Sequence, residues 1–203
     1  EEVIQKIKDL VYERLPAKTD EMDRLLTENE VLVSRLQGIH VIDAENAIKY
    51  SVTGPVLRAT GVPYDIRRAD PYSIYDRFEF DVCTRRNGDL YDNYLIRLDE
   101  IRQSLRIMDQ ALKQIPQGPI NSQKPQYQVR VPAGEAYGRI ESPKGELAYY
   151  VVSNGKPNPW RYHVRAPSFV NITPLEKICI GNKIADFVAL FGVLDVVMGE
   201  LDR

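Results

Sequence analysis

Between residues 94 and 115 the chain places Tyr94, Leu98, Ile101, Leu105, Met108, Leu112 and Ile115 at alternating steps of four and three. Such a run returns to one side of a helix at every turn, so the sequence predicts a long helix with a single packed seam, as in a bundle or coiled coil. Asp89 stands where an N-cap carboxylate belongs, and Pro116 stops the run. Arg97, Asp99, Arg102 and Arg106 fall on the other faces, which are expected to be wet.

Upstream, Val3, Ile4, Ile7, Leu10 and Val11 keep helical spacing until Pro16, which is expected to break or kink the chain. Thr19-Asp20 can cap a second stretch through Leu25-Leu26, continued by Val31–Leu36, and Asp43 can cap a short helix from Ala44 to Tyr50. Ser51 to Pro63 is punctuated by Gly and Pro and reads as a loop. Tyr64 to Arg86 is dense in charge and aromatics without a clear period.

After Pro116 the pattern changes to alternation. Tyr127–Val131, Glu135–Ile140, Leu147–Val152 and Trp160–Val164 are candidate strands. The Asn154-Gly155 dipeptide between two of them is a strong hairpin signal. Thr173-Pro174-Leu175-Glu176 has the form of a capping box with Pro at the first helical position. Ile184, Ala185, Phe187, Val188, Ala189, Leu190 and Phe191 then surround a helix on nearly every side, which predicts a core helix. Gly181 and Gly192 interrupt it and imply a bend or a close backbone approach. The expected fold class is α+β within one domain: a helix bundle over 1–116, a small antiparallel β-meander over 126–165, and a buried C-terminal helix with its tail over 173–203.

The chain has 203 residues, 43% apolar and 28% charged, which makes it globular rather than disordered. A net charge of −2 gives no bulk bias toward nucleic acid. Cys83 and Cys179 lie far apart, which excludes a cysteine zinc site and a disulfide scaffold and leaves free thiols in a reducing compartment as the expectation. No signal peptide is visible, and the apolar run Ile184–Leu194 falls short of the ~20 residues of a membrane span. The chain opens inside a helical pattern, as an excised part of something longer would.

Stand-alone catalytic motifs are missing: there is no Walker loop and no Gly-rich dinucleotide fingerprint. His163, beside Tyr162 and Arg165, is expected to be a hydrogen-bonded structural histidine; His40 stands isolated. Arg58, boxed between Gly54 and Gly61, is the basic residue most suited to enclosing a partner. The Tyr72, Tyr75, Phe78, Phe80 cluster reads as packing or interface. The charged tail Asp195-Val196-Val197-Met198-Gly199-Glu200-Leu201-Asp202-Arg203 follows an apolar helix, so its charges are expected to be docked into a site; the alternative is a frayed polar end.

Several segments carry a resemblance. Gly54-Pro55-Val56-Leu57-Arg58-Ala59-Thr60-Gly61, Tyr64-Asp65-Ile66-Arg67-Arg68, Pro71–Asp76, Tyr91–Tyr94, Arg102–Leu105, Pro143-Lys144-Gly145-Glu146 and Val196–Arg203 resemble, in order, the family of the 49-kDa (D) subunit of respiratory complex I. The resemblance covers nearly the whole chain and implies the C-terminal half of that subunit. It also implies kinship with the large subunit of nickel–iron hydrogenases, and hence a hydrogenase large-subunit-like fold. Laid on the hydrogenase C-terminal pattern Asp-Pro-Cys-x-x-Cys-x-x-His, Asp195 keeps the Asp, Val197 and Glu200 take the cysteine positions, and Arg203 takes the His. Neither Val nor Glu supplies a thiolate, so no metal is expected.

What the resemblance implies is a deep apolar pocket that receives a quinone as substrate, with no cofactor held by this chain. Electrons would come from an iron–sulfur cluster in a neighbouring subunit. Val197, Met198 and Gly199 would line the headgroup site, and Asp195 and Asp202 would tune charge or relay protons. Arg58, Glu200 and Arg203 would stand behind them. For Asp195 and Asp202 the alternative is a salt bridge that locks the tail, to Arg203 or Arg58. NADH would bind another subunit. The implied partners are the iron–sulfur subunit, other peripheral-arm subunits and a membrane subunit at the quinone channel. The implied location is peripheral, on the cytoplasmic face of the inner membrane for a bacterial source, and the chain alone would be inactive. Competing readings are a hydrogenase-type catalytic subunit, a scaffold that only docks an iron–sulfur subunit, and a related complex fed by ferredoxin or deazaflavin.

Overall fold

The computed structural model describes residues 2–119 and 130–202. The long seam forms helix α7, Leu90–Gln114, and it is the axis on which other elements pack. Asp89 caps it, accepting from the Asp92 N–H at 2.7 Å, and Ile115 leaves the helix in an extended conformation just before Pro116.

The N-terminal segment folds as α1 (Glu2–Asp9), a π turn (Leu10–Arg14), α2 (Leu15–Met22), a second π turn (Asp23–Thr27) and α3 (Glu30–Leu36). Pro16 does not break it. The ring lies in the first turn of α2, directly after the wider π turn, where its missing N–H costs little. Thr19 is not a cap either: it is buried within α2, and its hydroxyl donates back to the Leu15 carbonyl at 2.8 Å. The actual cap of α3 is Asn29, whose side chain accepts from Val31 and Leu32. Asp43 caps α4 (Ala44–Lys49) as expected. The Ser51–Pro63 loop contains one short helix, α5 (Pro55–Arg58), and α6 (Ile66–Ala69) follows it. Leu36, Ile42, Ala47, Val52, Val56, Leu57, Leu90, Leu190 and Leu194 form the main apolar core.

Three strands make an antiparallel sheet in the order β1-β2-β3: Gly134–Ser142, Gly145–Ser153 and Arg161–Arg165. Ser142 pairs with Gly145, so Pro143-Lys144 is a two-residue turn. Gly155 adopts φ +82 within the longer connection to β3. In the candidate strand Tyr127–Val131, residues 127–129 lie outside the described residues, and Arg130 and Val131 are not in a strand. His163 sits exposed on β3 rather than in a buried hydrogen bond.

Helices α8 (Pro167–Asn171), α9 (Leu175–Ile178), α10 (Ile184–Leu194) and α11 (Met198–Leu201) complete the chain. The capping box at Thr173–Glu176 does not form; Pro174 precedes the single turn of α9, and α10 starts at Ile184 after Gly181 turns with φ +83. Gly192 lies inside α10 with open space around it. The expectation of a buried C-terminal helix is corrected. Only Asp186, Leu190 and Leu194 of α10 are buried, while Ile184 and Val188 are 88% and 70% exposed. One face packs on α3 and α7, while Ile184 and Val188 stay largely open among the described residues.

Candidate functional site

The tail is set by a backbone choice at Asp195. This residue ends α10 in the left-handed region, φ 53 and ψ 52, which an Asp tolerates better than most side chains. The chain turns there and delivers Val197 as the N-cap of α11. Two contacts hold that turn to α8: the Val197 N–H donates to Ser168 Oγ at 3.3 Å, and Glu200 Oε2 accepts from the Ser168 N–H at 2.9 Å. Glu200 is therefore an anchor of the tail. Val197 is 41% exposed and Met198 73%. Met198, Gly199, Leu201 and Asp202 line a concavity of about 410 Å³. The deep pocket expected of the tail is thus an open one here, walled among the described residues by the tail alone. Asp202 is exposed, and Arg203 lies outside the described residues.

Asp195 is paired, and among the described residues its partners do not include Arg58. Its carboxylate meets the Lys144 ammonium directly and lies 3.7 Å from Arg97. Arg97 also donates to the Val193 carbonyl at 2.7 Å, at the negative end of α10. Burial lowers the Arg97 pKa, and the charge of Arg58 adds to it. Burial and the Arg97 charge likewise push the Lys144 ammonium down, while Glu200 works the other way.

Lys144 reaches Asp195 because its turn is clamped. Asn171 of α8, 4% exposed, donates to the Lys144 carbonyl at 3.0 Å and to the Thr53 carbonyl at 3.2 Å, and accepts from the Thr53 N–H. Thr53 Oγ1 accepts from the Glu146 N–H. Gly54 and Gly145, both at positive φ, allow the two backbones to touch. A Cβ on Gly54 would fall 2.5 Å from Gly145 Cα.

Arg58 occupies a second charge cluster. Only 2% exposed, it donates to Glu100 at 2.7 Å, Glu141 at 2.8 Å and the Tyr64 carbonyl at 3.0 Å. Asp65, beside it, is held by a forked pair of bonds from Arg67. Burial lifts the Glu141 carboxyl above its ordinary value, against the opposing charge of Arg58. Burial works against Asp65 as well, but Arg67 and Arg58 outweigh it and hold that carboxyl low. Arg58, Arg67, Arg97, Glu100 and Glu141 face one cavity of about 410 Å³, so the Arg58 cluster and the Asp195 tail meet through Arg97. The aromatic cluster is packing: Tyr75 contacts Tyr72, Phe78 and Phe80, with Arg67 and Arg68 over the Phe80 ring.

The arrangement resembles known proteins along its whole length. The family model described as respiratory-chain NADH dehydrogenase, 49 Kd subunit, matches residues 1–130 and 126–203. The chain belongs to this family. The D 1 subunit of NADH-quinone oxidoreductase from Roseiflexus sp. (strain RS-1) is 51% identical over 209 residues, covering 100% of this chain and 56% of that protein. The corresponding D subunit from Dehalococcoides mccartyi (strain ATCC BAA-2266 / KCTC 15142 / 195) is 50% identical, covering 100% and 55%. Among solved structures, a chain from the membrane-bound sulfane sulfur reductase, an archaeal respiratory membrane complex, superimposes with a TM-score of 0.92 at 37% identity, covering 100% of this chain and 56% of its own. This member of the 49 Kd family therefore spans about half the length of the relatives it matches. None of the helices among its described residues is long and apolar enough to cross a membrane. Sequence reasoning missed Lys144 and Arg97 as parts of the site. Lys144 lies within the Pro143-Lys144-Gly145-Glu146 turn that carries part of the family resemblance, whereas Arg97 is one of four charges on a helix face and has no separate signal.

Proposed function

We propose that this chain contributes the C-terminal part of a quinone-reduction site in an NADH:quinone oxidoreductase. The observation that carries the reading is the match to the 49 Kd family along the full chain. The tail forms one wall of the site: Val197, Met198 and Gly199 meet the apolar ring, and the remaining walls come from the rest of the subunit and its neighbours. Reduction of a quinone to a quinol takes up two electrons and two protons. The electrons arrive from an iron–sulfur cluster in a neighbouring subunit. Asp202 is exposed at the wall and Asp195 sits against Lys144 and Arg97, so the tail has one carboxylate open to solvent and another paired with two cations. Arg58 acts at a distance, through Arg97.

The partners in this reading are the iron–sulfur subunit, other peripheral-arm subunits and a membrane subunit at the quinone channel. The complex as a whole couples the reaction to proton translocation. The chain sits peripherally on the cytoplasmic face of the membrane.

The test is Val197→Met in the whole complex. A larger side chain at the wall raises the quinone KM severalfold or weakens a competitive inhibitor, while assembly stays intact. Quinone kinetics identical to the parent would favour a second reading, in which the domain only docks an iron–sulfur subunit or serves another acceptor. That reading draws on the close structural likeness to a chain of a sulfane sulfur reductase.

A further inference from the structure

The connection from β2 to β3 ends in an exposed point, Lys156-Pro157-Asn158-Pro159-Trp160, followed directly by Arg161 and Tyr162. Trp160 is 74% exposed and Tyr162 59%. Among the described residues the indole makes no ring contact, and Lys156 and Arg161, both exposed, have no ion-pair partner.

The point is ordered from within rather than by packing. Ser153 Oγ accepts from the Gly155 N–H at 3.2 Å, Asn154 Oδ1 accepts from the Lys156 N–H at 3.1 Å, and the Trp160 N–H donates to the Val152 carbonyl at 2.8 Å. Pro157 and Pro159 fix the backbone on either side of Asn158. A segment that is already held loses less freedom when something binds it.

Its charge is one-sided. No Asp or Glu occurs from Leu147 to Leu175, although the chain has 29 acids against 27 Lys and Arg, so the gap is local and not a general shortage. Glu135 lies at this end of the sheet, two strands over from Arg161, but its carboxylate already accepts from the Tyr150 hydroxyl. An exposed Trp among cations, with a Tyr beside it and acids missing, has the composition of a protein-binding hot spot. A membrane surface fits less well, since recognition of anionic headgroups takes clusters of about four to eight cations.

We propose that the end of the β2–β3 connection is a docking surface for an acidic face of a neighbouring subunit. Trp160 enters an apolar notch there, and carboxylates of that subunit meet Lys156 and Arg161. The inference rests on the reading that the chain works within a multisubunit complex.

The test is zero-length carbodiimide cross-linking of the purified whole complex, read by peptide mass spectrometry. The reagent joins an amine to a carboxylate only where the two touch. Lys156 should link to an Asp or Glu of another subunit, and Lys156→Arg, which keeps the charge but not the amine, should abolish the link. Trp160→Ala and Arg161→Glu should each release the linked subunit at lower salt than in the parent complex, whereas Arg161→Lys should not. A Lys156 that links only within its own subunit, or stays unlinked while other lysines of the complex react, overturns the proposal and leaves the chain's place in a complex intact. Reactivity of Lys156 that appears only once detergent strips the lipid overturns it in favour of a membrane surface. Release at unchanged salt in both Trp160→Ala and Arg161→Glu overturns it as well. A subunit that purifies without neighbours overturns both the proposal and the reading beneath it.

Discussion

Arg58 donates to Glu100 on α7, to Glu141 on β1 and to the Tyr64 carbonyl, all from a position with almost no exposure. Removing one partner of a buried ion cluster leaves uncompensated charge, which costs about 3–5 kcal/mol. Arg58→Met should therefore lower stability by that order, measured by urea denaturation. The pH dependence of the loss follows from Glu141, whose carboxyl is already raised in the folded protein. A group with a raised folded pKa favours the fold below its unfolded value and loses that contribution as pH rises through the folded pKa. Without Arg58 the Glu141 carboxyl climbs further, so the penalty should be larger at pH 8 than at pH 5. An equal loss at both values would show that Glu141 does not sense Arg58. Gly54 and Gly61 pointed to this arginine in the sequence. Its acidic partners were not legible there, because they come from elements 42 and 83 residues away.

At the scale of elements, local chemistry was readable and long-range chemistry was not. Asp89 and Asp43 announced α7 and α4 because a cap acts within one turn. The β1–β2 hairpin followed from alternation around a Pro/Gly turn. Pro16 misled, since a π turn in front of it absorbs the geometry that would otherwise kink the helix. The Thr173–Glu176 pattern misled as well, because Gly181 cuts the helix and moves its start to Ile184. The turn bearing Lys144 is placed by its crossing with the Thr53-Gly54 segment. Gly54→Ala would put a Cβ 2.6 Å from the Lys144 carbonyl and impose strain at φ +74. Overpacking and left-handed strain together should cost at least about 2 kcal/mol, read as a lower urea midpoint. A variant as stable as the parent would show that the crossing can relax.

For the molecule as a whole, the α+β plan was legible and the exposure of α10 was not. An apolar helix reads as buried whichever chain segment covers it, and this chain spans about half the length of its relatives. The low carboxyls set the acid behaviour. Asp65 is held below its ordinary value in the fold, as are Asp23, Asp43 and Asp109 through their own hydrogen bonds. A depressed carboxyl stabilises above its unfolded pKa of about 4, and that stability is lost as pH falls through the folded value. Below about pH 4 the urea midpoint should decline; Asp65→Asn should flatten that decline. A midpoint that keeps rising as pH falls below about 4 would contradict the assignment.

The bare contact between Gly54 and Gly145 also has a mechanical side. No side chain stands between the two backbones, so nothing soft can yield there. The loop bearing Arg58 and the turn bearing Lys144 must travel as one rigid piece. A shift of the tail at Asp195 would reach that piece through the pliant stem of Lys144.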